Sequence, residues 1–224
     1  MRRLYQWTFD PQARLVRLAL AEKGLDTTLV SSLPWSPHAD VKTLAPGASG
    51  VALVHRAHEA RYIAIGARAI CEYLEEAGEG EPLLPRLSED RAEARRIWQL
   101  VDDGLRDACA DLLSERIAMA RDRRHTPDST RLRTGSHALR ARLTFLNHLT
   151  ETRSYLAGRK LSLADLALAA HLSCFDYFGD VPWSLAPDMK SWYGRIKSRP
   201  SFRSLLTEEL DGTRPSAHYA DLDF

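Results

Sequence analysis

Two hydrophobic periods share this chain. Up to residue 78 the apolar residues come in short runs: Arg3 to Trp7, Thr27 to Val30, Val51 to His55 and Arg61 to Ile65 each read as a strand. Between the first two, Leu15, Val16, Leu18, Ala19 and Ala21 follow a helical spacing. Asp10-Pro11 opens that helix, with Asp as N-cap and Pro at the first helical position, and Gly24 closes it. A second helix, from Gly66 to Ala77, puts Ile70, Tyr73 and Leu74 on one face. Ser31 to Gly50 is rich in Pro, Ser and Gly and reads as a loop, and Arg56 to Ala60 as a turn. The order β-α-β, then β-β-α, predicts an α/β thioredoxin-like domain over residues 1–78.

After a linker at 79–87, the period lengthens. Glu89 to Arg124 reads as one long helical run with Ile97, Leu100, Val101, Leu105, Leu112 and Ile117 toward a core. Thr126-Pro127-Asp128 breaks it, and a helix from Asp128 to Thr150 follows, carrying Leu139, Leu143, Leu146 and Leu149. The stretch from Lys160 to Gly179 is different. Ser162 and Asp165 form the spacing of a capping box, and the residues after them are apolar on nearly every face. A helix apolar all round belongs inside a globule, so this is the expected centre of an all-helical domain spanning 88–211. Lys190 to Arg199 and Ser201 to Glu209 read as shorter helices. The last residues, 212–224, lose the period but keep Tyr219, Leu222 and Phe224 among Asp221 and Asp223. Such a tail docks its aromatics on the protein and displays its carboxylates, or it is presented to a partner.

Composition adds little to this picture. The net charge of +1 supplies no bulk field for nucleic acid or membrane. No apolar run reaches the ~18 residues of a membrane span, and no secretory leader is evident, so the expectation is a cytoplasmic protein. The three cysteines, Cys71, Cys109 and Cys174, are widely spaced within helical patterns and read as reduced core residues. His55, His58 and Glu59 fall on a strand end and turn, with no further Cys or His nearby, and read as a solvated turn and not a metal site.

VRLALAEKGL near the start, AICEYLEE before the linker and LAGRKLSLADLALAAHL in the second half together resemble the glutathione transferase superfamily over essentially the whole chain. The C-terminal third resembles one branch more closely, the transferase-fold bacterial division proteins that bind the tubulin-like polymer FtsZ. The segments that carry this are AAHLSCFDYFGDVPW, WYGRIKSRPSFRSLL and the terminal HYADLDF. The resemblance implies the glutathione transferase fold, a homodimer and a place at the division site.

Three features that the family uses to hold glutathione are altered here. The thiolate needs a hydroxyl or thiol donor in the loop after the first strand, since the thiolate is the nucleophile. That loop offers only Thr8, with Tyr5 in the strand as a weaker candidate, and Asp10 reads as a helix cap. The family's Val-Pro-Leu turn, with its cis-proline, is Val51-Ala52-Leu53 here, and a cis bond before Ala costs about 2.5–4 kcal/mol, so a trans bond is expected. The acid–hydroxyl pair at the next helix start is Gly66-Ala67, without side-chain donors or acceptors. Three departures together imply that glutathione binding is lost and that the chain needs no cofactor. The enzyme alternative, a glutathione transferase acting on small electrophiles, would use Thr8 or backbone donors.

The other candidates lie on surfaces. Arg116 to Arg142 holds eight Arg against two Asp, a charge run whose ordinary role is a solvated tip. Its sign also suits an acidic partner, and FtsZ polymers are acidic. Nucleic acid would fit the sign too, as an RNA-associated accessory domain, but stacking aromatics are missing from the segment. Carried over from the division branch, partner-contact positions are Glu115, Leu139, Arg140 and Arg142. Trp35, among Ser and Pro in its loop, either covers the domain junction or contacts a partner, and the matching loop of that branch carries a Trp implicated in FtsZ contact. Asp221, Asp223 and Phe224 complete the set. The favoured reading is a non-catalytic FtsZ-binding regulator of constriction.

Overall fold

The computed structural model describes residues 1–44, 50–57 and 60–222. His58, Glu59, Asp223 and Phe224, named above, lie outside the described residues. Four strands, β1 (Arg2–Gln6), β2 (Thr28–Ser31), β3 (Ala52–Ala57) and β4 (Ala60–Ile65), form a sheet in the order β2-β1-β3-β4. β1 and β2 run parallel, joined by α1 (Pro11–Glu22), whereas β3 is antiparallel to both β1 and β4. The peptide bond before Ala52 is trans. Asp10 caps α1 by accepting from Gln12 N at 3.0 Å, and Gly24 leaves the helix at φ 65°.

The stretch 31–50, which composition assigns to a loop, contains α2 (Ala39–Leu44). The helix is too short for a period to show. It buries only Val41, which joins Tyr5, Ala52 and Val54 on one face of the sheet. The other face is covered by α1 and α3 (Ala67–Glu76) and is continuous with the helical half. Leu4, Leu15, Leu18 and Ile70 share one core with Trp98, Leu105 and Leu166.

The run read as a single helix over 89–124 is three segments. α4 (Ser88–Ala108) passes through a π-helical turn at Cys109–Leu113 into α5 (Ser114–Arg121). The widened turn leaves the Ala110 carbonyl to side chains: Ser114 Oγ donates to it, and Arg131 Nη2 does so at 2.6 Å. α6 (Ser129–Glu151) returns antiparallel, capped by Asp128, and crosses the π turn at Gly135. α7 (Leu163–Tyr177) is buried at every residue, as its pattern predicts, and it packs against α1 and α4. Its capping box is formed. Ser162 N and Oγ both donate to Asp165 Oδ2, at 2.9 and 2.8 Å, and Asp165 Oδ1 also takes Leu156 N at 2.8 Å.

α8 (Pro187–Lys197) follows. The helix expected over 201–209 is a 3₁₀ turn at Pro200–Phe202 and a short α9 (Arg203–Leu206). Ending there frees Glu208 to turn back toward the sheet domain. Among the described residues no helix is long and apolar enough to cross a membrane.

Candidate functional site

The β1–α1 loop, the Ser31–Trp35 segment, the end of α5 and the chain after α9 enclose a cleft of about 520 Å³ between the two halves. Behind the lining residues Thr8 and Phe9 lies Arg14, a guanidinium with no exposed surface. Arg14 donates to Thr8 O at 2.7 Å, Ser173 Oγ at 2.8 Å and Tyr219 Oη at 3.1 Å, and stacks over the Phe9 ring at 4.7 Å. A buried charge is tolerated only with such partners. Sequence reading passed over it because its side-chain hydrogen-bond partners, Ser173 and Tyr219, lie far along the chain.

Thr8 does not offer its hydroxyl to the cleft. Oγ1 donates to Glu208 Oε1 at 3.2 Å, and the same carboxylate oxygen pairs with Arg17 at 2.6 Å. Glu209 and Asp211 line the same space, so a thiolate there would meet repulsion. Tyr5 is a poorer candidate still. It sits on the opposite face of the sheet and donates to Asp40 at 2.5 Å, and burial raises its pKa, which keeps the phenol protonated. Burial likewise pushes all three thiols up, Cys174 to about 11, so none is a ready nucleophile. Ala52 and Ala67 are buried, and Gly66 caps α3 at φ 83° with no side-chain bond, its N–H spent on Val51 O at 2.9 Å.

Asp10 is the helix cap it was read to be, but an expensive one. Burial pushes its carboxyl up to about 6, against the lowering effect of the Gln12 and Ala13 amides. The folded state therefore holds this proton more tightly than the unfolded chain. Stability contributed by this group falls as pH rises from about 4 to about 6, by roughly 3 kcal/mol, and is flat above that. Asp10→Asn keeps a good cap. Urea midpoints measured between pH 4 and pH 7 are expected to show a shallower decline for the variant and a gain of roughly 2 kcal/mol at pH 7.

Trp35 does cover the junction. Its ring meets Trp7 edge-on at 5.1 Å, and the Arg121 guanidinium of α5 sits over its face at 3.5 Å, while 43% of the residue stays exposed.

The arginine-rich segment is less free than its composition suggests. Arg116 makes a bidentate pair with Asp180, Arg121 is on Trp35, and Arg131 is engaged with Glu115, Asp111 and Ala110 O. Arg123, Arg124, Arg133, Arg140 and Arg142 remain exposed. Two of the expected contact positions need correction. Glu115 is 1% exposed and accepts from His125 Nε2 at 2.6 Å, Asp128 N at 2.8 Å and Arg131 Nη1 at 3.1 Å. Leu139 is fully buried. Neither presents a side chain to a partner; Glu115 fixes the α5–α6 corner from within, and Leu139 belongs to the core.

The tail docks on α7. Tyr177 Oη donates to Thr213 O at 2.6 Å, Ser216 N to Tyr177 O at 2.8 Å, and His218 lies 2.9 Å from Asp176 Oδ1. Lys197, buried, donates to His218 O at 3.0 Å and faces Asp176 at 3.5 Å. Tyr219 has no exposed surface and packs edge-on against Tyr177, whereas Asp221 and Leu222 are exposed. The aromatic anchor was legible in sequence; its receptor, made by Arg14, Tyr177 and Leu205 O, was not, nor was the Asp176–Lys197 pair that holds His218.

Residues 115–200 match the family model described as glutathione S-transferase, C-terminal domain. FtsZ-localized protein A of Caulobacter vibrioides is 42% identical over 224 residues, covering all of this chain and 98% of that protein. The solved structure of FzlA from C. crescentus superimposes with a TM-score of 0.93 over 100% of this chain and 99% of its own. A glutathione S-transferase structure from Rhodospirillum rubrum is 39% identical, with a TM-score of 0.88 over the whole of both chains.

Proposed function

The chain belongs to the family of FtsZ-localized protein A, on the glutathione S-transferase fold, and from that premise we propose a non-catalytic protein that binds FtsZ filaments at the division site and regulates constriction. The whole-length relationship carries this reading. The cleft supports it from the other side: the one loop hydroxyl is spent on Glu208, and Ala52, Gly66 and Ala67 give glutathione no side-chain hold. No cofactor is then required. Arg140, Arg142 and the exposed part of Trp35 are the protein's contact residues, with Glu115 holding the α5–α6 corner from within. The working unit is a cytoplasmic homodimer, which sedimentation velocity checks.

A second reading, a glutathione transferase acting on small electrophiles, is favoured by the likeness to the R. rubrum transferase structure. Retention on glutathione resin, lost on Thr8→Ala, would support it against the first.

Pelleting with FtsZ filaments assembled in GTP tests the proposal. The wild type is expected in the pellet, and Arg140→Ala/Arg142→Ala should weaken co-pelleting roughly tenfold and reduce its salt dependence. A wild-type chain that stays in the supernatant overturns the reading. Deleting Ala220–Phe224 leaves Tyr219 in place, so the fold should survive while cell division is impaired. Normal division in such a strain would remove the tail from the account.

A further inference from the structure

The cleft that is unsuited to an anion carries the opposite chemistry. Its aromatic wall is Trp7 and Trp35, and the π-face of Trp35 already holds a guanidinium, that of Arg121, at 3.5 Å. Aromatic faces attract cations through their quadrupole, with Trp the strongest. Three carboxylates line the same space. Glu208 is partly neutralised by Arg17, but among the described residues Glu209 and Asp211 are exposed and enter no ion pair. A further acceptor on this wall, Gln6 Oε1, is buried and receives no hydrogen bond among the described residues. A buried acceptor without a donor is costly, so this wall has a place for an N–H group. The volume of about 520 Å³ lies within the ~300–1,000 Å³ typical of ligand sites.

We propose that the cleft is a receptor for a basic peptide segment of a partner, one Arg or Lys side chain lying on Trp35 in place of Arg121 and its donors meeting Glu208, Glu209 and Asp211. Arg121 is then an internal stand-in for the ligand. It keeps the ring covered when the cleft is empty and competes with the incoming cation. The proposal shares Trp35 with the surface assigned to filament association but not Arg140 and Arg142, and peptide binding by the isolated chain can fail while filament pelleting persists.

The sign of this competition makes the test specific. Calorimetric titration of the full chain with triarginine amide should show saturable binding, and triglutamate should show none. Trp35→Ala should weaken triarginine binding about tenfold, and Trp35→Phe, which keeps a ring, should lie between. Glu209→Gln/Asp211→Asn should weaken it and flatten its salt dependence. Arg121→Ala should tighten binding about threefold, while Arg124→Ala, which removes the same charge outside the cleft, should do less. Binding that is unchanged by Trp35→Ala, or equal tightening by the two Arg variants, overturns the proposal. Equal affinity for arginine amide and triarginine would assign the site to a free cation and overturn the peptide occupant.

Discussion

Asp176→Ala is expected to cost about 3–5 kcal/mol, the usual penalty for removing one member of a buried ion pair. Asp176 has no exposed surface and serves three groups: Lys197 at 3.5 Å, Trp183 Nε1 at 3.0 Å and His218 Nε2 at 2.9 Å. Burial pushes the Asp176 carboxyl up and the Lys197 amine down, and each opposes that shift in the other. Without the carboxylate, a fully buried ammonium loses the anion that faces it at 3.5 Å. For a chain of this size the loss corresponds to a melting temperature lower by roughly 10 °C. It also removes the carboxylate that holds His218, so residues after Gly212 should become more sensitive to protease before the melting transition. Adding Lys197→Met should restore much of the stability, because the pair can be replaced by apolar groups more cheaply than it can be halved. The same double variant should not restore protease resistance to the tail, whose His218 contacts are gone. A melting temperature within about 2 °C of wild type for the single variant would show that the pair contributes little.

Gly135→Ala is expected to be the other large effect. A Cβ at Gly135 would lie 2.4 Å from Leu112 N and 2.6 Å from Leu112 Cβ. The first of these is backbone and cannot rotate aside. Overpacked cores lose about 1–3 kcal/mol and sometimes more, and the upper end applies where backbone blocks relaxation. Helix propensity pulls the other way by about 1 kcal/mol, so a net loss means that the close crossing of α6 and the π turn outweighs it. The damage should spread beyond stability. α6 carries Arg140 and Arg142, and Arg131 ties it to Ala110 O and Ser114 Oγ. Urea unfolding gives the loss, and FtsZ pelleting of the still-folded fraction should be weaker than wild type. A stabilised variant would contradict the packing described for this crossing.

What was legible in the sequence is what short-range rules govern. Ser162 and Asp165 stand three residues apart, so the capping box and the buried α7 could be read directly. The Leu156 amide on Asp165 could not, because it arrives from the preceding loop. The trans bond before Ala52 and the helix start at Gly66 without a side-chain cap were also readable, because each follows from the residue type at that place. Arg14 shows the limit. Within an apolar stretch a lone arginine carries no sign of its partners, which are Ser173 and Tyr219, from α7 and the tail. Glu115 is a more instructive miss. Its partners His125, Asp128 and Arg131 are local, but the helix break between them concealed that an acid could turn inward and satisfy the next helix start. The charge run misled for a related reason: composition counts arginines, and the fold pairs several of them.

The central claim is that this transferase fold works through its outer surface and not through thiol chemistry. Co-pelleting with GTP-assembled FtsZ, in the presence and absence of a large excess of glutathione and a small electrophile, tests it most directly. The account predicts equal amounts of protein in the pellet under both conditions and no conjugate in the supernatant. Conjugate formation at an enzymatic rate, or release of the protein from filaments by glutathione, would contradict it.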